Sequence, residues 1–165
     1  MQTKILSLCT LLMALGIQGQ NEKETVDRLL DQWHLAASRA DFDGYFGPMA
    51  RDATYLGTDA SENWKVEAFK AFAKPYFDQG KGWTFQAVER NIYVAESGKF
   101  AWFDELLDSP HMKFCRGSGL LKKENGQWKI AHYVLSIVVP NALVDEVVKI
   151  KTPMDDSLLR ELRDR

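Results

Sequence analysis

Asn125-Gly126 lies between two apolar-rich runs in the stretch from Arg116 to Pro140. Both residues tolerate positive φ, so the pair predicts a β-hairpin with two long strands. Alternation along the second strand puts Trp128, Ile130, His132, Val134 and Ser136 on one face. Lys129, Ala131, Tyr133, Leu135 and Ile137 fall on the other. Polar groups inside an otherwise apolar sheet point to a pocket. Tyr133 to Val139 is apolar on both parities apart from Ser136, whereas a strand open to water should alternate. The outer face is therefore expected to be covered, and a homodimer is one way to cover it.

The chain has 165 residues, which suits one domain, and its net charge of -2 comes with no basic block. Nucleic-acid binding is disfavoured, since it usually needs a cationic patch. Aromatic residues make up 12% of the sequence, enough to line a cavity as well as fill a core. Lys4 followed by the apolar run Ile5 to Ile17 has the form of a secretory signal over residues 1–19, cleaved after Gly19 or after Gly16. That run is too short to span a membrane comfortably, so an exported protein (periplasmic or secreted) without a stable membrane anchor is expected. Cleavage removes Cys9 and leaves Cys115 as the only cysteine, so no internal disulfide forms. Cys115 falls in an expected strand and reads as a buried, inert thiol.

Asn21 and Glu24 resemble a capping box opening a helix to about Ser38, with Val26, Leu29, Leu30, Trp33 and Ala37 on one stripe. His34 sits at the stripe's edge, where a surface histidine is expected. A short helix at 41–46 ends at Gly47-Pro48. A strand at 53–56 and a loop at 58–62 come next. A helix from Val66 to Phe77 is expected to kink or break at Pro75. Strands follow from Trp83, with a bulge near Glu89-Arg90 and turns at Ser97-Gly98 and Ser109-Pro110. Beyond Pro140, residues 141–165 form a helical tail. One helix is expected from Asn141 to about Lys151 and another from Asp155-Asp156 to Arg163.

Helices followed by a long curved antiparallel sheet make an α+β plan. The chain resembles the SnoaL-like branch of the NTF2-like, or cystatin-like, superfamily over about residues 22–140. The resemblance is carried by the Trp33 helix, Tyr55-Leu-Gly-Thr-Asp59 with Glu62 and Trp64, and Phe69-Lys-Ala-Phe72 with Pro75-Tyr-Phe77. Ala101-Trp-Phe, Cys115-Arg-Gly-Ser-Gly119, and Gly126-Gln-Trp-Lys-Ile-Ala-His132 with Ser136 and Pro140 complete it. It implies an NTF2-like cone, with N-terminal helices packed on the sheet, a cavity at the wide end, and frequent dimers. That superfamily holds isomerases, cyclases, dehydratases and non-catalytic binders. The Asp, Tyr and protonated-Asp system of its ketosteroid isomerases, a worked example of carboxyl tuning, has no local motif here.

Asp104 interrupts an apolar strand. A turn centred near Pro110 sets it opposite Arg116, and Trp102 opposite Ser118. A one-residue bulge at Asn125-Gly126 pairs Ser118 with His132, whereas a two-residue turn pairs Gly119 with His132. The bulged register, favoured by the resemblance, gathers Trp102, Asp104, Arg116, Ser118 and His132 on one face. Asp104 and His132 are then candidate acid/base catalysts. Trp33, Tyr55, Trp102, Arg116 and Ser118 are candidate ligand-binding groups. The structural alternative is an Asp104–Arg116 ion pair beside a satisfied core histidine. No HxH, HExxH, CxxC, GxGxxG, Walker or GxSxG spacing occurs, so neither metal nor cofactor is expected. The leading expectation is a domain that binds a small, largely apolar molecule in its cone. A cofactor-free acid/base enzyme and a non-catalytic dimeric interaction module are the alternatives.

Overall fold

Helix α1 (Gln2–Ser38) buries Val26, Leu30, Trp33 and Ala37 against the sheet, the stripe that 3.6-residue periodicity selects. The computed structural model describes the backbone of residues 2–164 and the side chains of residues 20–164. The expected export signal, residues 1–19, lies outside the residues described in full. Asn21 sits inside α1 rather than capping it, and its carbonyl accepts a bond from Thr25 Oγ1 at 2.8 Å. Helix α2 (Phe42–Phe46) starts at Asp41, whose carboxylate caps Gly44 N at 3.0 Å. Helix α3 (Val66–Phe77) continues through Pro75, with Val66, Phe69, Ala73 and Phe77 buried.

The strands are β1 (Met49–Leu56), β2 (Asn63–Lys65), β3 (Gln86–Val94), β4 (Phe100–Ser109), β5 (Lys113–Glu124) and β6 (Gln127–Ile137). They form one curved, unclosed sheet in the order β2-β1-β6-β5-β4-β3. Neighbours run antiparallel except β1 and β6, which pair in parallel, so the sheet is mixed rather than wholly antiparallel. The reason is connectivity. The chain leaves β1, crosses to the far edge through α3, and returns to β1's side only with β6.

Two register expectations are corrected. Asn125 and Gly126 have φ of 50° and 81°, giving a tight two-residue turn with Glu124 opposite Gln127. The bulge lies further along, at Ala131, between the pairs Leu121–Ile130 and Leu120–His132. The inward face of β6 therefore switches from Trp128 and Ile130 to Tyr133 and Leu135. The β4–β5 loop spans three residues, with Ser109 opposite Lys113, so Asp104 faces Ser118, Trp102 faces Leu120 and Arg116 faces Leu106. The β3 register shift falls between Ala87 and Glu89.

A 3₁₀ turn (Asn141–Leu143) leads into α4 (Val144–Arg163), a single helix that continues through Pro153 rather than two helices. No residue of α4 is buried. Cys115 is a buried free thiol whose pKa is raised by burial. Among the described residues, no helix is long and apolar enough to cross a membrane.

Candidate functional site

A cavity of about 260 Å³ opens between α3, the 57–62 loop, the segment preceding β3 and the end of β6. Its walls are mostly aromatic: Tyr55, Trp64, Phe69, Phe72, Tyr76, Trp83 and Phe85, with Met112 and Leu135. Several rings lie in nearly parallel planes. Tyr55 stacks on Phe69 at 4.0 Å, Phe69 on Trp64 at 5.4 Å, and Trp64 on Phe72 at 4.7 Å. Helical spacing explains part of this. Phe69, Phe72 and Tyr76 follow one another on α3 at i, i+3 and i+7, and Trp64 precedes them on β2.

Thr58, Glu62 and Lys81 supply the polar side chains at the walls. The 57–62 loop is closed by its own bonds. Gly57 N donates to Glu62 O at 2.9 Å, Glu62 N to Asp59 O at 3.0 Å, and Asp59 N to Glu62 Oε2 at 3.2 Å. A Cβ on Gly57 would stand 2.0 Å from Glu62 Oε2, so the carboxylate occupies space that only glycine leaves open. Burial pushes the Tyr55 phenol pKa well above its ordinary value, and the negative charge of Glu62 adds to the shift. Tyr55 is a hydrogen-bonding group there, not a proton shuttle at neutral pH.

Behind the cavity wall is a buried ionic cluster. Glu105, on β4, is 2% exposed. Its Oε1 accepts bonds from His34 Nε2 at 2.9 Å and Tyr133 OH at 3.0 Å, and its Oε2 accepts from Arg90 Nε at 2.8 Å. Burial works to raise the Glu105 pKa, but the hydrogen bond from His34 and the charges of His34 and Arg90 outweigh it, and the net shift is downward. Arg90 also reaches Asp27 and Asp31 on α1, with its Nη1 2.8 Å from Asp31 Oδ1. Its Nη2 is buried without a hydrogen-bond partner among the described residues. Tyr133 packs 5.5 Å from Tyr55, and His34 lies 6.2 Å from Phe85, centroid to centroid. The cluster thus ties α1 to β3, β4 and β6 and backs two residues of the cavity wall. Among the described residues, no group of three or more His, Cys, Asp or Glu side chains is placed to hold a metal ion.

The sequence matches the SnoaL-like domain over residues 26–140. The chain belongs to the SnoaL-like domain family. Solved structures similar to this SnoaL-like protein share its fold at low identity. An NTF2-like protein of unknown function from Pseudomonas putida is 18% identical, with 74% of this chain and 90% of that one covered at a TM-score of 0.64. The association domain of C. elegans CaMKII is 18% identical, with 72% and 98% covered at 0.60. A structure described as a putative ketosteroid isomerase from Parabacteroides distasonis is 17% identical, with 72% and 89% covered at 0.59. No curated protein matches the chain.

Of the site residues expected from sequence, the SnoaL-like fold places only Tyr55 in the cavity wall. Trp33 is core, with its Nε1 donating to the Tyr45 carbonyl at 2.9 Å. Trp102, Asp104, Arg116, Ser118 and His132 do share one face, as expected, but it is the outer face of the sheet. Trp102 is 47% exposed and stacks on Tyr93 at 5.7 Å. Asp104 accepts from Asn91 Nδ2 at 3.1 Å and forms no pair with Arg116, which is set two positions further along the ladder. His34, expected at the surface, is buried against Glu105. The sequence-based reading missed Glu62, Glu105 and Arg90. Glu105 was recoverable from β5, whose alternate positions Cys115, Gly117, Gly119 and Leu121 carry no charge and so mark the inner face. Their cross-strand partners are Leu107, Glu105, Phe103 and Ala101.

Proposed function

We propose that this SnoaL-like protein binds a small, largely apolar molecule with a flat ring system in the cavity lined by Tyr55, Trp64 and Phe69. The observation that carries this is the stacked aromatic wall around an open volume. About 260 Å³ is small for a ligand site, which commonly runs from roughly 300 to 1,000 Å³, so a one- or two-ring molecule fits. A wall built mainly of aromatic rings suits an apolar, ring-bearing guest. The test is calorimetric titration with 2-naphthol. Binding is expected to weaken at least about tenfold in Trp64→Ala, given the ~1–3 kcal/mol of a stacking partner, and to stay unchanged in Trp102→Ala. Loss of binding in Trp102→Ala alone would move the site to the outer face and sink the proposal.

Two similar structures are described as a putative scytalone dehydratase and a putative ketosteroid isomerase. An acid/base enzyme is therefore the alternative within the same cavity, with Glu62 as the carboxylate beside the guest. Proton exchange from a bound carbonyl compound, followed by NMR in deuterated water, tests it.

We propose also that a second copy of the chain covers the outer sheet face. Phe100, Trp102 and Phe114 are each about half exposed there. Similar structures include two described as association domains.

A further inference from the structure

We infer that the cavity's ligand carries a cationic group, an organic ammonium, and that Glu62 is its ionic anchor. The inference rests on the cavity reading above and adds the charge class of the guest.

Two charged side chains reach the walls, Glu62 and Lys81, and their surroundings differ. The Glu62 carboxylate is held in place by Asp59 N and lies against the backbone of Gly57, itself a wall residue. Its hydrogen-bond donor is a neutral amide, and no cation pairs with it among the described residues. Its negative charge is felt inside the site, since it helps to raise the Tyr55 pKa. Lys81 is engaged elsewhere. Its Nζ donates to Gln79 Oε1 at 2.9 Å, and Gln79 is not a wall residue.

The aromatic walls act in the same direction. A ring face carries the negative lobe of the quadrupole, so a wall ring that turns a face to the guest attracts a cation and repels an anion. A fixed carboxylate beside such faces recognises ammonium groups by charge, hydrogen bonding and cation–π attraction together. Preorganisation matters because the loop bonds have already ordered the carboxylate, so the guest does not bear that entropy cost.

Benzylammonium, benzyl alcohol and benzoate test this, since they share one ring and differ in charge. Binding at pH 7 is followed by calorimetry and by Trp fluorescence. Benzylammonium is expected to bind about tenfold tighter than benzyl alcohol, with benzoate the weakest. In Glu62→Gln the amide oxygen still accepts from Asp59 N, so the loop stays closed while the charge goes. That variant is expected to bind benzylammonium no better than benzyl alcohol. Added salt is expected to weaken benzylammonium only. Benzoate binding tightest would make Lys81 the anchor and overturn the inference, as would a cation preference that survives Glu62→Gln. If the alcohol binds as well as the cation, the charge inference fails while the cavity reading stands. If none of the three binds, both fail.

Discussion

Three donors converge on the two oxygens of Glu105, and that convergence lets a carboxylate persist in the core. An unpaired buried charge would cost several kcal/mol, whereas His34, Tyr133 and Arg90 keep this one ionised. The carboxylate titrates lower in the folded chain than in the unfolded one. Between the two values the unfolded chain binds the extra proton. The stabilisation is therefore complete above the ordinary glutamate pKa of about 4.3 and is lost as pH falls through the lower folded value. Glu105→Gln keeps an acceptor for Tyr133 but removes the charge facing Arg90. It is expected to cost about 3 kcal/mol in urea unfolding at pH 7 and to flatten the loss of stability below about pH 4.3. Wild-type and variant curves running parallel through that acid range would show that Glu105 is not the group being titrated. Gly117 has a related role. A Cβ there would stand 2.3 Å from Tyr133 OH and 2.6 Å from Glu105 Oε1. Its absence is what allows β4 and β6 to bond across β5.

At the scale of elements, most of the chain was legible. Hydrophobic periodicity located α1, α3 and the β4–β5–β6 meander, because apolar stripes bury themselves wherever tertiary contacts allow. Faces were harder. The Asn125-Gly126 pair fixes a tight turn, but the extra residue at Ala131 is a matter of packing. It turns Tyr133 inward to Trp33 and Glu105, and no local propensity encodes that demand. The wrong bulge position leaves the grouping of Asp104, Arg116, Ser118 and His132 intact yet assigns the group to the cavity instead of the outer face. Glu62 was obscure for a different reason: its role depends on loop closure over Gly57. Helix α4 is the element most weakly tied to the rest. Its apolar positions Val144, Val148, Met154 and Leu162 are exposed, and Lys151, Met154, Asp155 and Leu158 border a groove shared with the 57–62 loop and Val134 to Ser136 of β6. Ending the chain after Leu143 is expected to change the unfolding free energy by less than about 1 kcal/mol when measured at concentrations dilute enough for a monomer. Little buried apolar surface is lost. A larger loss would mean that α4 covers more of the sheet than the groove indicates.

The whole molecule is two-sided. Its inner face is packed against α1 to α3, whereas the outer face of β3 to β5 presents Tyr93, Phe100, Trp102 and Phe114 to solvent at 44%, 47%, 47% and 53% exposure. Isolated exposed apolar residues are ordinary, but these sit on adjoining strands, and Tyr93 and Trp102 already stack on each other. A two-fold contact would bring this patch against its own copy, and roughly 800 Å² per partner makes a stable interface. The polar groups there have a place in such an arrangement. Asp104 and Arg116 stand on the same face without pairing within the chain, so across a two-fold axis each can meet the other's opposite charge. Native mass spectrometry and sedimentation are expected to show a dimer at micromolar concentration. Trp102→Glu with Phe114→Glu is expected to yield a monomer whose melting cooperativity is preserved, because neither side chain is in the core. If the wild-type chain is a monomer, the outer face is uncovered and the pairing proposal is wrong. If the double variant stays dimeric, copies meet elsewhere, and the α4 stripe becomes the surface to substitute next.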